Sequence, residues 1–105
     1  MILRQWSGRA RPERRDDYPA HFRDAVLPTL HRVPGFLGAE LLQRPAGDLI
    51  EFTVQTRWAS MQAIHAFAGD TLDTAVIEPG AVAALVDFDA EVRHCRVLQQ
   101  AGDAA

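Results

Sequence analysis

Residues 48–69 place a strand pattern directly before a helix pattern, and this junction constrains the fold more than any other stretch. Bulky or β-branched side chains alternate with polar ones over residues 50–58, which predicts a half-buried strand. Ser60 then fits a helix N-cap, apolar residues recur at helical spacing over residues 61–68, and Gly69 is typical of a helix end. A strand that leads straight into an amphipathic helix indicates helices packed on a sheet.

The rest of the chain supplies further strands and one long helix. Residues 2–7 are short and apolar and predict a first strand, and residues 12–33 predict an amphipathic helix with Phe22 at the centre of its apolar face. Residues 36–44 predict a second strand, which the tight turn P-A-G-D joins to the strand of the junction. Residues 90–99 predict the last strand.

Prolines and glycines predict irregular backbone in two places. Pro19 and Pro28 lie inside the apolar periodicity of the first helix. Because an interior proline removes a hydrogen bond and clashes with the previous turn, we expect this helix to kink or restart at Pro19. Pro79 and Gly80 are expected to break two short, weakly helical segments between residues 70 and 89, whose role is to cover an opening.

The element order predicts an α+β fold of the ferredoxin-like type, βαββαβ, with a four-stranded antiparallel sheet and both helices on one face. Such a sheet leaves its other face bare, yet the strands carry apolar residues on both alternations: Ile2 with Leu3, Leu41 with Leu42, and Val97 with Leu98. We therefore expect a homodimer, an α+β barrel in which two sheets pack face to face.

Length and charge bound the function classes. The chain has 105 residues, which we interpret as a single domain over residues 1–99 with a flexible tail at 100–105. A formal net charge of -3 argues against binding nucleic acid, which needs a clustered basic face. No apolar run approaches the length of a membrane span, and no export signal is recognisable, so we expect a cytoplasmic protein without a membrane partner.

Cys95 is the single cysteine and is expected to be a small buried residue of the last strand.

Three segments together carry a family resemblance. The segments are T-R-W-A-S-M-Q-A-I-H-A-F-A-G, then A-V-I-E-P-G, and finally V-R-H-C-R-V near the end of the chain. In their spacing the chain resembles the antibiotic biosynthesis monooxygenase domain family of dimeric α/β barrels. Members of that family catalyse cofactor-free oxygenation of anthrone-like or quinol-like substrates, oxidative breakdown of haem, or no reaction yet identified, so the resemblance implies the fold and leaves these activities open.

The residues disfavour haem breakdown by the machinery of that family. The resemblance implies an asparagine in the first strand, a tryptophan late in the second helix and a haem-ligating histidine about three turns further on. Here Phe67 occupies the helix position, the region of the ligand reads T-A-V-I-E-P, and the chain contains no asparagine. Haem binding would then need His94 or His21 as an unrelated axial ligand.

Cofactor-free oxygenation requires a dry pocket, a proton acceptor and a group that stabilises an oxyanion. His94, in mid-strand between apolar residues, is the first candidate for the base, and Tyr18 on the sheet-facing side of the first helix is the second catalytic candidate. A neutral structural histidine and a core tyrosine remain the alternatives. Predicted substrate contacts are His21, Trp58, Phe67 and Phe22, with a packing role as the alternative for Trp58.

Two functions remain open from the sequence. The first is a cofactor-independent monooxygenase that acts on an aromatic polycyclic or quinol-like small molecule in an apolar pocket between helices and sheet. The second is a non-catalytic dimeric module that binds or protects a small apolar molecule. No metal-ligand spacing and no nucleotide-binding motif occurs, so we expect neither a metal nor a cofactor.

Overall fold

The computed structural model describes residues 1–102 and has an α+β architecture. The elements of the first half are strand β1 (Ile2–Ala10), helices α1 (Asp17–His21) and α2 (Leu27–His31), and strands β2 (Phe36–Ala46) and β3 (Leu49–Trp58). The second half contains helices α3 (Met61–Ala68) and α4 (Pro79–Ala84) and strands β4 (Asp87–Phe88) and β5 (Arg93–Arg96). Residues 103–105, half of the predicted tail, lie outside the described part of the chain.

Strand β1 lies at the centre of an antiparallel sheet. It pairs with β3 along its full length, from Ile2 opposite Trp58 to Ala10 opposite Ile50, and β2 pairs with the far edge of β3. On its other edge β1 pairs with β5 through residues 2–5 and with β4 through residues 8–9. This is the predicted ferredoxin-like sheet, and its last strand is divided into two pieces.

The strand predicted over residues 90–99 is shorter than expected, since only β5 forms there, and β4 precedes the predicted range. Between β4 and β5 the chain does not pair with β1. There the carbonyl oxygen of Asp89, which has lost its strand partner, accepts a hydrogen bond from the Trp6 indole N–H at 2.6 Å. The backbone N–H of Asp89 donates to Ser7 at 2.9 Å, which keeps β4 in register. A side chain thus substitutes for the backbone partner that the interruption removes.

The junction between β3 and α3 forms as the sequence predicts. The Ser60 hydroxyl oxygen accepts a hydrogen bond from the backbone N–H of Ala63 at 3.2 Å, and the helix ends at Gly69, whose φ is 76°. Ile64 is fully buried, and it forms a core cluster with Trp58 and Leu30. The junction therefore anchors one end of the apolar core.

The first helical region differs from the expected kink at Pro19. Helix α1 continues through Pro19, which lies in its first turn, where the missing N–H has no intrahelical partner to lose. The irregularity instead comes later, as a π-helical segment over Phe22–Val26. The wide turn ends at Val26, two residues before Pro28, whose ring would clash with the carbonyl group four residues earlier in a regular helix.

The region after α3 also differs from the prediction. Pro79 and Gly80 were expected to break weak helical segments, but both lie in the first turn of α4. Proline is favoured there because its φ angle suits a helix and its missing N–H costs nothing. Before α4 the chain runs without regular structure, apart from a single bridge between Thr74 and Glu91.

The helices all cover one face of the sheet. The larger core cluster there contains Tyr18, Phe22, Phe52 and Leu85, and even-numbered residues of β1 point to this side. The opposite, open face is mixed rather than apolar, since hydrogen bonds join Gln5 to Gln55 and Ser7 to Thr53 across β1 and β3 there. We expected apolar residues on both faces of the sheet. On the open face this is true only of single positions such as Leu42.

The expected burial of Cys95 is wrong. Cys95 lies opposite Leu3 in the register of β5 and β1, so its side chain shares the open face, and the residue is exposed. The strand assignment holds, but the alternation puts the neighbouring His94, not the cysteine, on the covered face. Among residues 1–102 there is also no helix with the length and apolarity needed to cross a membrane.

Replacing Ser60 with alanine tests the helix cap. We expect Ser60→Ala to lower the free energy of unfolding by about 1 kcal/mol, because a backbone N–H of α3 loses its acceptor. Chemical denaturation followed by circular dichroism measures this change. Ser60→Asp restores an acceptor and should keep most of the stability. Equal losses in both variants would contradict the capping role.

Candidate functional site

A cavity lies between the covered face of the sheet and the helices. Its volume is about 640 Å³ including the part that opens to solvent. Most of its wall is apolar, and the polar groups are few. The lining residues are Arg4, Trp6, Tyr18, His21, Val26, Thr29, Leu30, Val54, Thr56, Phe67, Val76, Glu78, Ala81 and Val92.

Arg4 is the buried cation of this cavity. It lies on the covered alternation of β1, between Ile2 and Trp6, and only 5% of the residue is exposed. Its Nη1 donates to the carbonyl oxygen of Leu72 at 2.7 Å, and its Nη2 donates to that of Thr74 at 3.2 Å. The guanidinium carbon is 5.8 Å from the centre of the Phe67 ring. These contacts tie the chain after α3 to the sheet.

No carboxylate among residues 1–102 forms a salt bridge with Arg4. Its direct partners are carbonyl oxygens and the imidazole of His94. Burial lowers the pKa of Arg4, and the charge of nearby Asp73 opposes this shift. Because the contacts use both N–H groups of Nη1 and one of Nη2, two further donors of the guanidinium remain for a ligand. The site is therefore suited to an anion or an oxygen atom that gains negative charge.

His94 holds Arg4 rather than contacting the cavity. Its Nε2 lies 2.8 Å from Nη1 of Arg4, and its Nδ1 lies 3.3 Å from Oδ1 of Asp73. Since a guanidinium can only donate, Nε2 accepts and Nδ1 carries the proton, which defines a neutral tautomer. Desolvation and then the charge of Arg4 lower the pKa of His94, while Asp73 opposes them. His94 is absent from the cavity wall, and both of its nitrogens are occupied.

A second polar group in the wall contains Tyr18, His21 and Glu78. The Tyr18 ring is 5.8 Å from the His21 ring, and His21 Nε2 is 3.8 Å from Oε2 of Glu78. Burial and then the negative charge of Glu78 raise the pKa of Tyr18. The phenol therefore stays protonated at neutral pH and can donate a hydrogen bond.

The predicted site residues divide into two sets. Tyr18, His21 and Phe67 line the cavity, whereas His94, Trp58 and Phe22 do not. Phe22 is instead part of the larger core cluster. Phe22 and Trp58, which were predicted as ligand contacts, lie in the two core clusters and not in the cavity wall.

Trp58 supports the wall from below. Its indole N–H donates to Thr56 Oγ1 at 2.7 Å, and this hydroxyl in turn donates to the Arg4 carbonyl oxygen at 3.3 Å. The Trp58 ring also lies 5.6 Å from the Phe67 ring. The surroundings of Trp58 therefore fit the packing role that was the alternative from the sequence. Through Thr56, Trp58 also links β3 to β1 at the position of Arg4.

The sequence interpretation missed Arg4 and Glu78 as residues of the cavity wall. A signal for Arg4 was available, since it is the one charged residue on an alternation otherwise formed by Ile2, Trp6, Gly8 and Ala10. No such signal marked Glu78, which reaches the cavity through the irregular chain before α4. Among residues 1–102, no group of three or more metal-ligating side chains lies close enough to hold an ion.

Comparisons with known proteins give both a family and a fold. The model of the antibiotic biosynthesis monooxygenase family matches residues 1–71. No curated protein matches the chain. Solved structures match over nearly its whole length, at identities that establish a shared fold only.

Three of these structures illustrate the range. The haem-degrader MhuD from Mycobacterium tuberculosis is 20% identical with a TM-score of 0.65, and the match covers 97% of this chain and 100% of MhuD. A Deinococcus radiodurans protein assigned provisionally to the antibiotic biosynthesis monooxygenases is 14% identical with a TM-score of 0.65, over 100% of both chains. SnoaB, a cofactor-independent oxygenase from Streptomyces nogalater, is 17% identical with a TM-score of 0.57, over 97% of this chain and 96% of SnoaB.

Lowering the pH tests the neutral state of His94. Because the pKa of His94 is lowered in the folded protein, its stabilising effect is present above the ordinary histidine pKa of about 6.5 and is lost as pH falls through the folded value. We expect the melting temperature to fall between pH 7.5 and 5, and to fall less in His94→Gln. Calorimetry measures both curves.

The matched control for this prediction is His65→Gln, which removes an exposed histidine paired with Asp70. This variant should retain the pH dependence of the unmodified protein. Parallel curves for His94→Gln and the unmodified protein would contradict a neutral His94 that accepts from Arg4.

Proposed function

Since the chain belongs to the antibiotic biosynthesis monooxygenase family, we propose that it is a cofactor-independent monooxygenase. Its proposed substrate is an aromatic polycyclic or quinol-like small molecule, bound in the cavity between the helices and the sheet. The observation that carries this proposal is the buried guanidinium of Arg4, which lines an apolar cavity and has only uncharged direct partners. A cytoplasmic location is part of the proposal and was inferred from the sequence alone.

The chemistry follows from the electronic demands of such a substrate. Loss of a proton gives an electron-rich anion, which reduces dioxygen itself and forms a carbon–oxygen bond. The resulting hydroperoxide loses water and leaves a carbonyl group, so that one oxygen atom enters the product and the other enters water. Arg4 stabilises the negative charge of the anion, and the apolar wall excludes bulk water from it.

The proposed roles of the predicted residues follow from their surroundings. Tyr18 acts as a hydrogen-bond donor to the ligand, because its raised pKa keeps the phenol protonated. Phe67 provides an aromatic surface below the guanidinium. His94 acts on the reaction through Arg4, since its nitrogens contact Arg4 and Asp73 instead of the cavity.

The similarity to MhuD does not extend the proposal to haem. MhuD is a haem-degrader, but at 20% identity its likeness to this chain extends to the fold only. Within residues 1–102 the only imidazole in the cavity wall is that of His21. Phe67 stands in α3 where the family resemblance implies a tryptophan for haem breakdown.

Oxygen uptake in metal-free buffer tests the proposed function. We expect anthrone and a naphthoquinol to be consumed with dioxygen, and one atom of ¹⁸O₂ to enter the product. Arg4→Met should reduce the rate and weaken binding of the substrate anion by about 10- to 100-fold, because a charge-assisted hydrogen bond contributes about 1.5–3 kcal/mol. Oxygen electrodes, mass spectrometry and quenching of tryptophan fluorescence provide the measurements.

Two controls separate charge from shape. Arg4→Lys keeps a cation and should retain more binding than Arg4→Met, and a methyl ether of the same ligand, which cannot ionise, should bind both variants about equally. Circular dichroism checks that each variant is folded. Binding without oxygen uptake or product would contradict the monooxygenase and favour the non-catalytic binding module.

We also propose that the protein is a homodimer that pairs through the open face of the sheet. This face is not covered by any helix of residues 1–102, and it carries Leu42, which is 47% exposed. It also carries charges of both signs, including Arg44 and Glu51, joined at 2.7 Å. An isologous contact between two such faces pairs opposite charges around apolar centres.

Sedimentation tests the dimer. We expect a mass of twice 11.6 kDa at micromolar concentration, and dissociation in Leu42→Arg, because a buried unpaired cation would oppose the contact. Val82→Arg is the matched control, since Val82 is exposed on α4 at the helical side and should leave the mass unchanged. A mass of 11.6 kDa for the unmodified protein would contradict the dimer.

A further inference from the structure

The polar groups of the cavity wall are separated along the strands. Arg4 lies opposite Thr56 in the register of β1 and β3, whereas the Tyr18 ring lies 6.0 Å from Trp6 and 5.7 Å from Phe52. Trp6 is two residues from Arg4 along β1, and Phe52 is four residues from Thr56 along β3. At about 3.3 Å per residue, Trp6 is roughly 7 Å and Phe52 roughly 13 Å along the strands from the level of Arg4 and Thr56. Tyr18 and its neighbour His21 therefore lie towards another part of the cavity.

His21 has a buried nitrogen without a partner. Its side chain is 13% exposed, and Nε2 has no hydrogen bond within the described residues. The ring is packed against α4, because a Cβ atom on Gly80 would lie 2.5 Å from Nδ1. Glycine at position 80 thus makes room for the Nδ1 side of the ring, and Nε2 is the buried nitrogen whose hydrogen-bonding capacity is unused.

The surroundings of His21 suit a group that gains a proton. The nearest carboxylate is that of Glu78, whose Oε2 is 3.8 Å from Nε2, and the neighbouring Tyr18 remains a neutral phenol. The cation of the cavity, Arg4, bonds instead to His94 and the carbonyl groups of Leu72 and Thr74. An imidazolium at His21 therefore faces a negative group, whereas one at His94 would face the guanidinium.

We propose that His21 is the catalytic base of this cavity, an inference that rests on the proposed monooxygenase function. A C–H bond of the substrate breaks, its proton forms a new N–H bond at Nε2, and the electron pair of the broken bond moves through the conjugated rings. The negative charge collects on the oxygen atom that Arg4 binds, and Glu78 stabilises the imidazolium.

This assignment narrows the substrate class. A proton is removed at one position and the charge develops several ångströms away, so the two positions must belong to one conjugated system. Of the substrates that the family resemblance implies, the anthrone-like ones meet this requirement, because their acidic ring C–H lies across the ring from the carbonyl group. A simple phenol, which loses the proton from the same oxygen that holds the charge, does not connect the two polar groups.

Hydrogen–deuterium exchange without oxygen isolates this step. Anthrone incubated anaerobically with the protein in D₂O should exchange its acidic ring C–H at a rate proportional to protein concentration, as followed by NMR. We expect His21→Gln to lower this catalysed rate by about 100-fold or more, the usual contribution of a general base. Imidazole added to His21→Ala should restore part of the exchange.

Matched variants separate the role of the base from a structural one. Glu78→Gln, at a position that is partly exposed, should slow exchange without unfolding the protein, and His65→Gln should leave the rate unchanged. The affinity for anthraquinone, which has no acidic ring C–H, should be the same in His21→Gln and the unmodified protein. This affinity also reports that the cavity of the variant is intact.

The outcomes distinguish this inference from the proposed function. Equal exchange and oxygen uptake in His21→Gln and the unmodified protein would overturn His21 as the base and leave the monooxygenase standing. Oxygen uptake without any catalysed exchange by the unmodified protein would also overturn the base. Neither exchange nor oxygen uptake, with anthraquinone still bound, would overturn the monooxygenase and the base together.

Discussion

The buried guanidinium of Arg4 is the constraint on which the rest of the site depends. A cation on the covered face of a sheet is tolerated only where hydrogen bonds replace its water, and here the carbonyl groups of Leu72 and Thr74 and the imidazole of His94 do so. These partners come from chain segments far from β1 in sequence. One charge therefore fixes the sheet, the chain after α3 and the last strand together, and it leaves the cavity with an electropositive group.

Local patterns were sufficient to predict most of the fold. The alternation of β3, the cap at Ser60 and the end at Gly69 are each decided by neighbouring residues, and the structure agrees with them. The division of the last strand depends on a tertiary contact between Trp6 and Asp89, whereas the π-helical segment accommodates Pro28. Pro19 is tolerated because α1 begins at Asp17, later than the helix start predicted at residue 12, so that the proline lies in its first turn.

The candidate site was harder to predict than the fold, because a residue belongs to the site only if its side chain points into the cavity. His94 and Tyr18 were chosen for their chemistry, and both are on the covered side, yet only Tyr18 reaches the cavity wall. The nitrogens of His94 are engaged by Arg4 and Asp73, which are 90 and 21 residues away along the chain. The alternation of a strand predicts which face of the sheet a side chain lies on. It does not predict which other side chains will hydrogen-bond to that side chain, as Arg4 and Asp73 do to His94.

The divided edge strand has a consequence for association along the sheet. A continuous edge offers a row of free N–H and C=O groups to which another chain can add as a further strand. Here the row is interrupted between Phe88 and Arg93, and the carbonyl group of Asp89 at that point is already bound by the Trp6 indole. An incoming strand would have to pair with two short strands that differ in register, so this edge resists fibril-like growth. The open face of the sheet stays available for a partner.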